Sequence, residues 1–169
     1  MRDVKLKLLP LVLTAGVIVV DQVVKWIVTR TLPYGRPVEV IGDFLRLVYV
    51  QNPNIGFSIG RSLGGGGRFV LARLLPLAVM AILLVYSLVG KDITRFQRWI
   101  LGAVLGGGLG NYVDRIFRRG EVVDFIDFKF YGILGLERWP TFNVADSTLV
   151  VSGILLLASF LFTSGKKPA

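Results

Sequence analysis

Four apolar runs dominate this chain, at about residues 8–29, 69–89, 96–117 and 144–162. Each is close to the roughly 20 residues an α-helix needs to cross a bilayer. Inside hydrocarbon a backbone has no water to bond, so each run is expected to be a helix that satisfies its own N–H and C=O groups. The expectation is therefore an α-helical membrane protein with four transmembrane helices, forming one membrane-embedded domain over residues 1–169. Composition agrees, with 53% hydrophobic residues and a mean hydropathy of +0.66, while charged residues fall below the roughly one quarter usual in soluble domains. The net charge of +9 raises the question of nucleic acid. The basic residues flank the apolar runs instead of lining one polar face, so phospholipid headgroups are the expected partner and nucleic acid is not.

Two residue types are missing, and each absence removes chemistry. There is no cysteine, which excludes disulfides, thiol nucleophiles and thiolate metal sites. There is no histidine, which excludes a Ser-His-Asp triad and histidine-held zinc. Hydrolytic chemistry here must use Asp, Glu, Lys, Ser, Thr or Tyr, and no metal or cofactor is expected.

The first run follows Arg2, Lys5 and Lys7, as a signal peptide would. No small-residue cleavage site follows it, and the pattern continues through Asp21-Gln22-Val23-Val24-Lys25-Trp26, so a retained helix is expected. Asp21 and Lys25 share a helix face at i and i+4, either as an internal ion pair or as braces for a site. Between about residues 31 and 68 the chain leaves the membrane. Pro33, Gly35 and Pro37 break the helix, and Val38–Ile41 and Phe44–Val50 have strand composition. A small β-sheet on the membrane surface is expected there, between the first and second helices. The Gly64–Gly67 run lacks the Gly-Lys-Ser/Thr of a phosphate loop and is expected to be a turn. In the third run Gly102, Gly106 and Gly110 recur every fourth residue, a ridge that lets a second helix backbone come close. Four spans put both termini on one side. Lys and Arg cluster on both sides, so the charge bias does not orient the chain.

Carboxylates are costly near hydrocarbon, yet they gather at the ends of the last two runs. Asn111-x-x-Asp114 and Asn143-x-x-Asp146 repeat one spacing, which on a helix sets each amide beside its carboxylate. Asp146 also suits an N-cap. Asp114, with Arg115 adjoining and Arg118 one turn away, suits a buried salt bridge. Asp124 sits between Val122-Val123 and Phe125-Ile126, where burial and a second carboxylate would raise its pKa. Two such carboxyls sharing a proton can activate water and protonate a leaving amide.

The blocks Gly110-Asn111-Tyr112-Val113-Asp114-Arg115, Glu121-Val122-Val123-Asp124-Phe125 and Phe142-Asn143-Val144-Ala145-Asp146-Ser147, with Asp21-Gln22-x-x-Lys25, resemble those of bacterial lipoprotein signal peptidase, the signal peptidase II family. The resemblance covers nearly the whole chain. It implies an aspartic endopeptidase of the bacterial inner membrane, with both termini cytoplasmic and the active site toward the extracytoplasmic face. Its substrates would be prolipoproteins, cut just before a cysteine carrying diacylglycerol. Globomycin-type inhibitors would occupy the site, and a monomer is expected. By motif position the catalytic pair is Asp124 and Asp146. Asp21, Lys25, Asn52, Asn54, Asn111, Asp114, Arg115 and Asn143 become the supporting or substrate-binding residues. The segment Asn52-Pro53-Asn54-Ile55-Gly56-Phe57 departs from the family's Asn-x-Gly-Ala-Ala-Phe, which leaves open whether Asn52 or Asn54 contacts substrate.

Two other classes compete. A transporter could route protons over Asp21, Asp114 and Asp146, although these lie at helix ends and not mid-span. A Ser-Lys hydrolase could use Ser58 or Ser62 with Lys25.

Overall fold

The computed structural model describes residues 2–53 and 64–164. In chain order these form α1 (Arg2–Leu8), α2 (Pro10–Thr31), β1 (Val38–Ile41), β2 (Leu45–Asn52), α3 (Gly65–Phe69), α4 (Leu75–Val89), α5 (Arg95–Phe117), β3 (Val122–Phe128) and α6 (Val144–Ser164). The glycine run is therefore not a turn but opens α3, with Gly64 as its N-cap, and a π-helical turn, Val70–Leu74, joins α3 to α4.

Among the described residues, three helical stretches are long and apolar enough to cross a membrane: Lys5–Thr31, Val70–Val89 and Val144–Phe162. The 23-residue α5 is different. It packs against α2, α4 and α6, and Gln97, Arg98, Asn111 and Asp114 are all buried on it. A helix packed against three others can bury polar side chains between them, away from lipid. Its start is fixed by a capping box, in which Gln97 N–H donates to Thr94 Oγ1 at 3.2 Å and Thr94 N–H to Gln97 Oε1 at 2.9 Å. Arg98 then donates to the carbonyls of Ser87 and Gly90, the end of α4.

The glycine ridge does what its spacing predicts. A Cβ on Gly102 would sit 2.6 Å from the Pro10 carbonyl oxygen, and one on Gly106 would sit 2.7 Å from Val17 Cβ. At Gly107 it would meet the Ala145 carbonyl oxygen at 2.7 Å, and at Gly110 the Asp21 carboxylate at 2.8 Å. Any side chain at these positions would push α2 or α6 away from α5. That close approach lets groups on three helices reach one another at the end of the bundle.

The sheet corrects an expectation. β1 and β2 lie between the first and second spans as foreseen, but the sheet is not confined there. Its third strand comes from beyond α5, giving the order β1-β2-β3 with both pairings antiparallel. β2 and β3 pair from Leu45↔Phe128 to Asn52↔Val122. Val123 and Phe125 pack with Val28, Val24, Leu32 and Val144, so β3 rests on the ends of α2 and α6. Side chains alternate along a strand. Asp124 therefore points away from that apolar contact and toward the polar groups of Asn52 and Asn143.

Candidate active site

The site grows from a buried charge cluster between α2 and α5. Asp21, Lys25 and Asp114 are each 0% exposed. Lys25 Nζ lies 2.8 Å from Asp21 and 2.9 Å from Asp114, and it donates to Asn111 Oδ1 at 2.9 Å. Arg118 adds a second cation, 3.0 Å from Asp114. Two carboxylates and two cations leave the cluster near neutral, which offsets much of the cost of burying charge. Lys25 is thus the internal pair and the brace at once. Its Nζ is engaged by Asp21, Asp114 and Asn111, which leaves no donor for the serine of a Ser-Lys mechanism, while Ser58 and Ser62 lie outside the described residues.

Each carboxylate in the cluster also holds backbone. Asp21 Oδ1 accepts from Ala145 N–H in the first turn of α6 at 3.0 Å. Asp114 Oδ2 accepts from Val123 N–H at 3.1 Å, next to Asp124. The cluster therefore sets where α6 begins and where β3 passes. Asp114 makes the salt bridge that its Arg neighbours suggested, but with Arg118 and Lys25.

Asn143 and Asn111 join this base to two further carboxylates. Asn143 precedes α6 as its cap. Its Oδ1 accepts from Asp146 N–H at 2.9 Å, while Asp146 Oδ2 accepts from Asn143 N–H at 3.2 Å. Asp146 is thus the third residue of the helix and not its N-cap, a correction to the capping alternative. Asn143 Nδ2 donates to Asp124 Oδ1 at 2.7 Å and to Asn111 Oδ1 at 3.1 Å. Asn111 Nδ2 donates to Asp146 Oδ1 at 2.7 Å. The repeated Asn-x-x-Asp spacing therefore works differently at its two sites. Asn143 bonds its own Asp146, whereas Asn111 reaches across to Asp146 instead of Asp114. Asn52 Nδ2, from β2, donates to Asp124 Oδ2 at 2.9 Å.

Asp124 is 2% exposed, and burial pushes its carboxyl up to about 6. The amide of Asn52 works against that rise, the charge of Asp146 adds to it, and the amide of Asn143 and the charge of Lys25 oppose it. Asp146 is partly exposed, so the pair can be reached from outside. The arrangement places two interacting carboxyls, cross-linked by two amides, at the end of the helix bundle where the sheet covers it. Such a pair can share a proton and polarise an amide.

Arg115 faces the charges of Asp146, Asp124 and Asp114. Its carbonyl oxygen accepts from Arg73 Nη2 at 3.1 Å. Asn54 lies outside the described residues. The sequence reading missed Gln22, whose Nε2 donates to the Gly110 carbonyl at 3.0 Å and to Asp114 Oδ1 at 3.2 Å. It also missed Arg73 as the partner of the α5 end. Gln22 had a signal, since it sits inside the quoted Asp21-Gln22-x-x-Lys25 element. Arg73 had only its place as a lone charge near the start of an apolar span.

The fold defines the class. A solved structure described as a bacterial membrane enzyme, determined in meso at 2.3 Å resolution, superposes with a TM-score of 0.79 at 31% identity, covering 95% of this chain and 92% of that one. A second, determined in meso at 1.9 Å, gives a TM-score of 0.73 at 31% identity, covering 90% and 92%. The chain is similar to the lipoprotein signal peptidase of Treponema denticola, 49% identical over 86% of this chain and 84% of that protein. It is also similar to the lipoprotein signal peptidase of Treponema pallidum, 42% identical over 95% and 87%. The signal peptidase (SPase) II family matches residues 13–162. The chain belongs to the signal peptidase II family: it is a membrane protease that removes signal peptides from prolipoproteins.

Proposed function

We propose that Asp124 and Asp146 are the catalytic pair of an aspartic endopeptidase, and that the cut falls just before a diacylglyceryl-modified cysteine. The observation that carries this is the linkage of the two carboxyls through Asn143 and Asn111, with Asp124 pushed up to about 6 by burial. One carboxyl of the pair is ionised and the other holds a proton, carried at Asp124 once substrate covers the site. The ionised carboxylate takes a proton from water as the water oxygen bonds to the scissile carbonyl carbon. The protonated carboxyl donates to the carbonyl oxygen, giving a neutral gem-diol. As that diol collapses, its C–N bond breaks and the nitrogen gains a proton. The products are a carboxylic acid and an amine, and the pair again holds one proton. Asp21, Lys25, Asn111, Asp114 and Asn143 hold the pair in place. Arg115 and Asn52 lie beside the pair and are assigned to substrate contact, with Asn54 proposed to join them.

In this reading α5 also crosses the membrane, as the third of four transmembrane helices in chain order. Its 23 residues, at about 1.5 Å each, suit a hydrocarbon core about 30 Å thick. The whole chain is one peptidase domain acting as a monomer without a cofactor, with phospholipid around it. It sits in the bacterial inner membrane with both termini in the cytoplasm and the pair at the extracytoplasmic boundary. Globomycin-type inhibitors would compete for the pair. The test is cleavage of a precursor in liposomes, with mass spectrometry of the products. A diacylglyceryl-cysteine N-terminus is expected from the lipidated precursor, and the unlipidated one should stay intact. Equal cleavage of both precursors, or a cut elsewhere, refutes the assigned specificity.

A further inference from the structure

Beyond β3 the chain makes a hairpin that the catalytic account does not use. Lys129 bridges Arg138 at its base. Backbone bonds from Phe130 N–H to the Glu137 carbonyl at 2.9 Å and from Gly132 N–H to the Leu136 carbonyl at 3.0 Å close it. Its tip carries three large apolar or aromatic side chains in the open: Tyr131 is 64%, Ile133 56% and Leu134 84% exposed. Exposed apolar residues on a loop tip are unusual where water is the only neighbour.

The tip is built, not loose. Tyr131 and Leu134 both have φ of 55°, a left-handed conformation that side chains other than glycine's disfavour. At Tyr131 the strain is held by neighbours. Phe44 stacks on Tyr131 at 6.4 Å between centroids, Lys129 Nζ lies 5.6 Å from the Tyr131 ring, and Lys129 N–H donates to the Phe44 carbonyl at 2.8 Å.

Behind the tip the two sides of the hairpin differ, since side chains alternate along a strand. One side carries an aromatic cluster, in which Phe128 and Phe130 pack on Trp139 at 6.2 and 5.1 Å. The other carries an ion-pair network that starts at Lys129, beside the Tyr131 ring. Asp43 lies 2.8 Å from Lys129 and 3.0 Å from Arg138, and Asp127 lies 2.7 Å from Arg138 and 2.8 Å from Arg46. An apolar tip flanked by an aromatic side and a charged side suits a membrane–water boundary, where aromatic rings gather at headgroup level. The hairpin extends from a strand that rests on the ends of α2 and α6, so its base lies close to that boundary. The edge strand adds to the same surface, with Val40 54% and Ile41 59% exposed.

We propose that the hairpin 129–138 is an interfacial anchor that seats Ile133 and Leu134 in the lipid leaflet on the site's side of the membrane, with Tyr131 at headgroup level. The occupant of the apolar tip is the bilayer itself. The anchor fixes the height and tilt of the sheet over the bundle end, and hence the level at which a lipid-bearing substrate meets it. The inference rests on membrane embedding alone and does not depend on the identity of the catalytic pair.

The chain has no cysteine, so a single reporter can be placed cleanly. Leu134→Cys and, separately, Ile133→Cys are labelled with an environment-sensitive fluorophore. The full chain is then reconstituted in phosphatidylcholine–phosphatidylglycerol vesicles with or without brominated acyl chains. Leu157→Cys on α6 (68% exposed) is the lipid-facing reference, and Lys91→Cys in the α4–α5 connection is the aqueous one. Both hairpin labels should lose fluorescence with brominated lipid as the Leu157 label does, with blue-shifted emission and little quenching by iodide. Labels that behave as the Lys91 label does, quenched by iodide and blind to brominated lipid, overturn the proposal. That result is also the one expected if the tip docks a protein partner or the substrate polypeptide instead.

Discussion

Replacing Asp124 by asparagine separates charge from shape at the most buried member of the proposed pair. Burial pushes this carboxyl from its ordinary 3.8 to about 6. A folded state that binds the proton more tightly than the unfolded chain gains stability from it. That gain is fully present below about pH 4 and is lost as pH rises through about 6. At about 1.4 kcal/mol per pH unit, the span from 3.8 to about 6 amounts to about 3 kcal/mol. With Asp124 only 2% exposed, solvent screens little of it. Asparagine does not titrate, so it lacks this dependence. It also loses one acceptor: Asn143 Nδ2 and Asn52 Nδ2 donate to the two separate oxygens of Asp124, and one of those donors would meet an NH₂ group. That cost is about 1 kcal/mol and independent of pH. The wild-type protein should therefore be more stable by about 1 kcal/mol near pH 4, and the variant by about 2 kcal/mol near pH 8. Unfolding in mixed detergent micelles across that range measures the difference. A difference that stays constant with pH, or that grows in favour of the wild type as pH rises, refutes the assignment of a raised carboxyl to Asp124.

Lys25→Met should destabilise the protein by about 3–5 kcal/mol, because it leaves Asp21 and Asp114 buried without their shared cation. Chemical unfolding of the two proteins checks this, and a loss below about 1 kcal/mol would mean the cluster does not depend on that lysine. A cysteine placed at Gly64, where an added Cβ meets nothing within 4 Å, should react with an impermeant thiol reagent in intact spheroplasts. Reaction only after lysis would invert the proposed orientation.

Much of this architecture is legible in the residues because it is local. Apolar runs of membrane length declare helices, and Gly102, Gly106 and Gly110 declare a contact surface whichever helix fills it. Asp21 and Lys25 declare a shared face. What is not legible is non-local. Val122–Phe128 has strand composition, but its partner β2 lies some seventy residues earlier, and nothing in either segment names the other. Asn111 illustrates the same limit. Its i+3 spacing points to Asp114, yet three-dimensional packing turns it to Asp146 on another helix. The 129–138 hairpin and Asp127, with its two arginines, went unread for the same reason. Their meaning lies in Asp43, Phe44 and Arg46, far away in sequence. The catalytic candidates were legible mainly through motif resemblance, since paired aspartates at helix ends are by themselves a weak signal.

The assignment of Asp124 and not Asp114 as the partner of Asp146 is the central claim. It is tested most directly by measuring thermal unfolding and single-turnover cleavage together for Asp114→Asn, Asp124→Asn and Asp146→Asn. Asp114 bonds Lys25, Arg118 and the Val123 N–H, so it organises the site, and its loss should lower stability while some turnover survives. Asp124→Asn and Asp146→Asn should remain folded and cleave nothing. An Asp114→Asn protein that is fully stable and inactive, beside an Asp124→Asn protein that still cuts, would contradict the account.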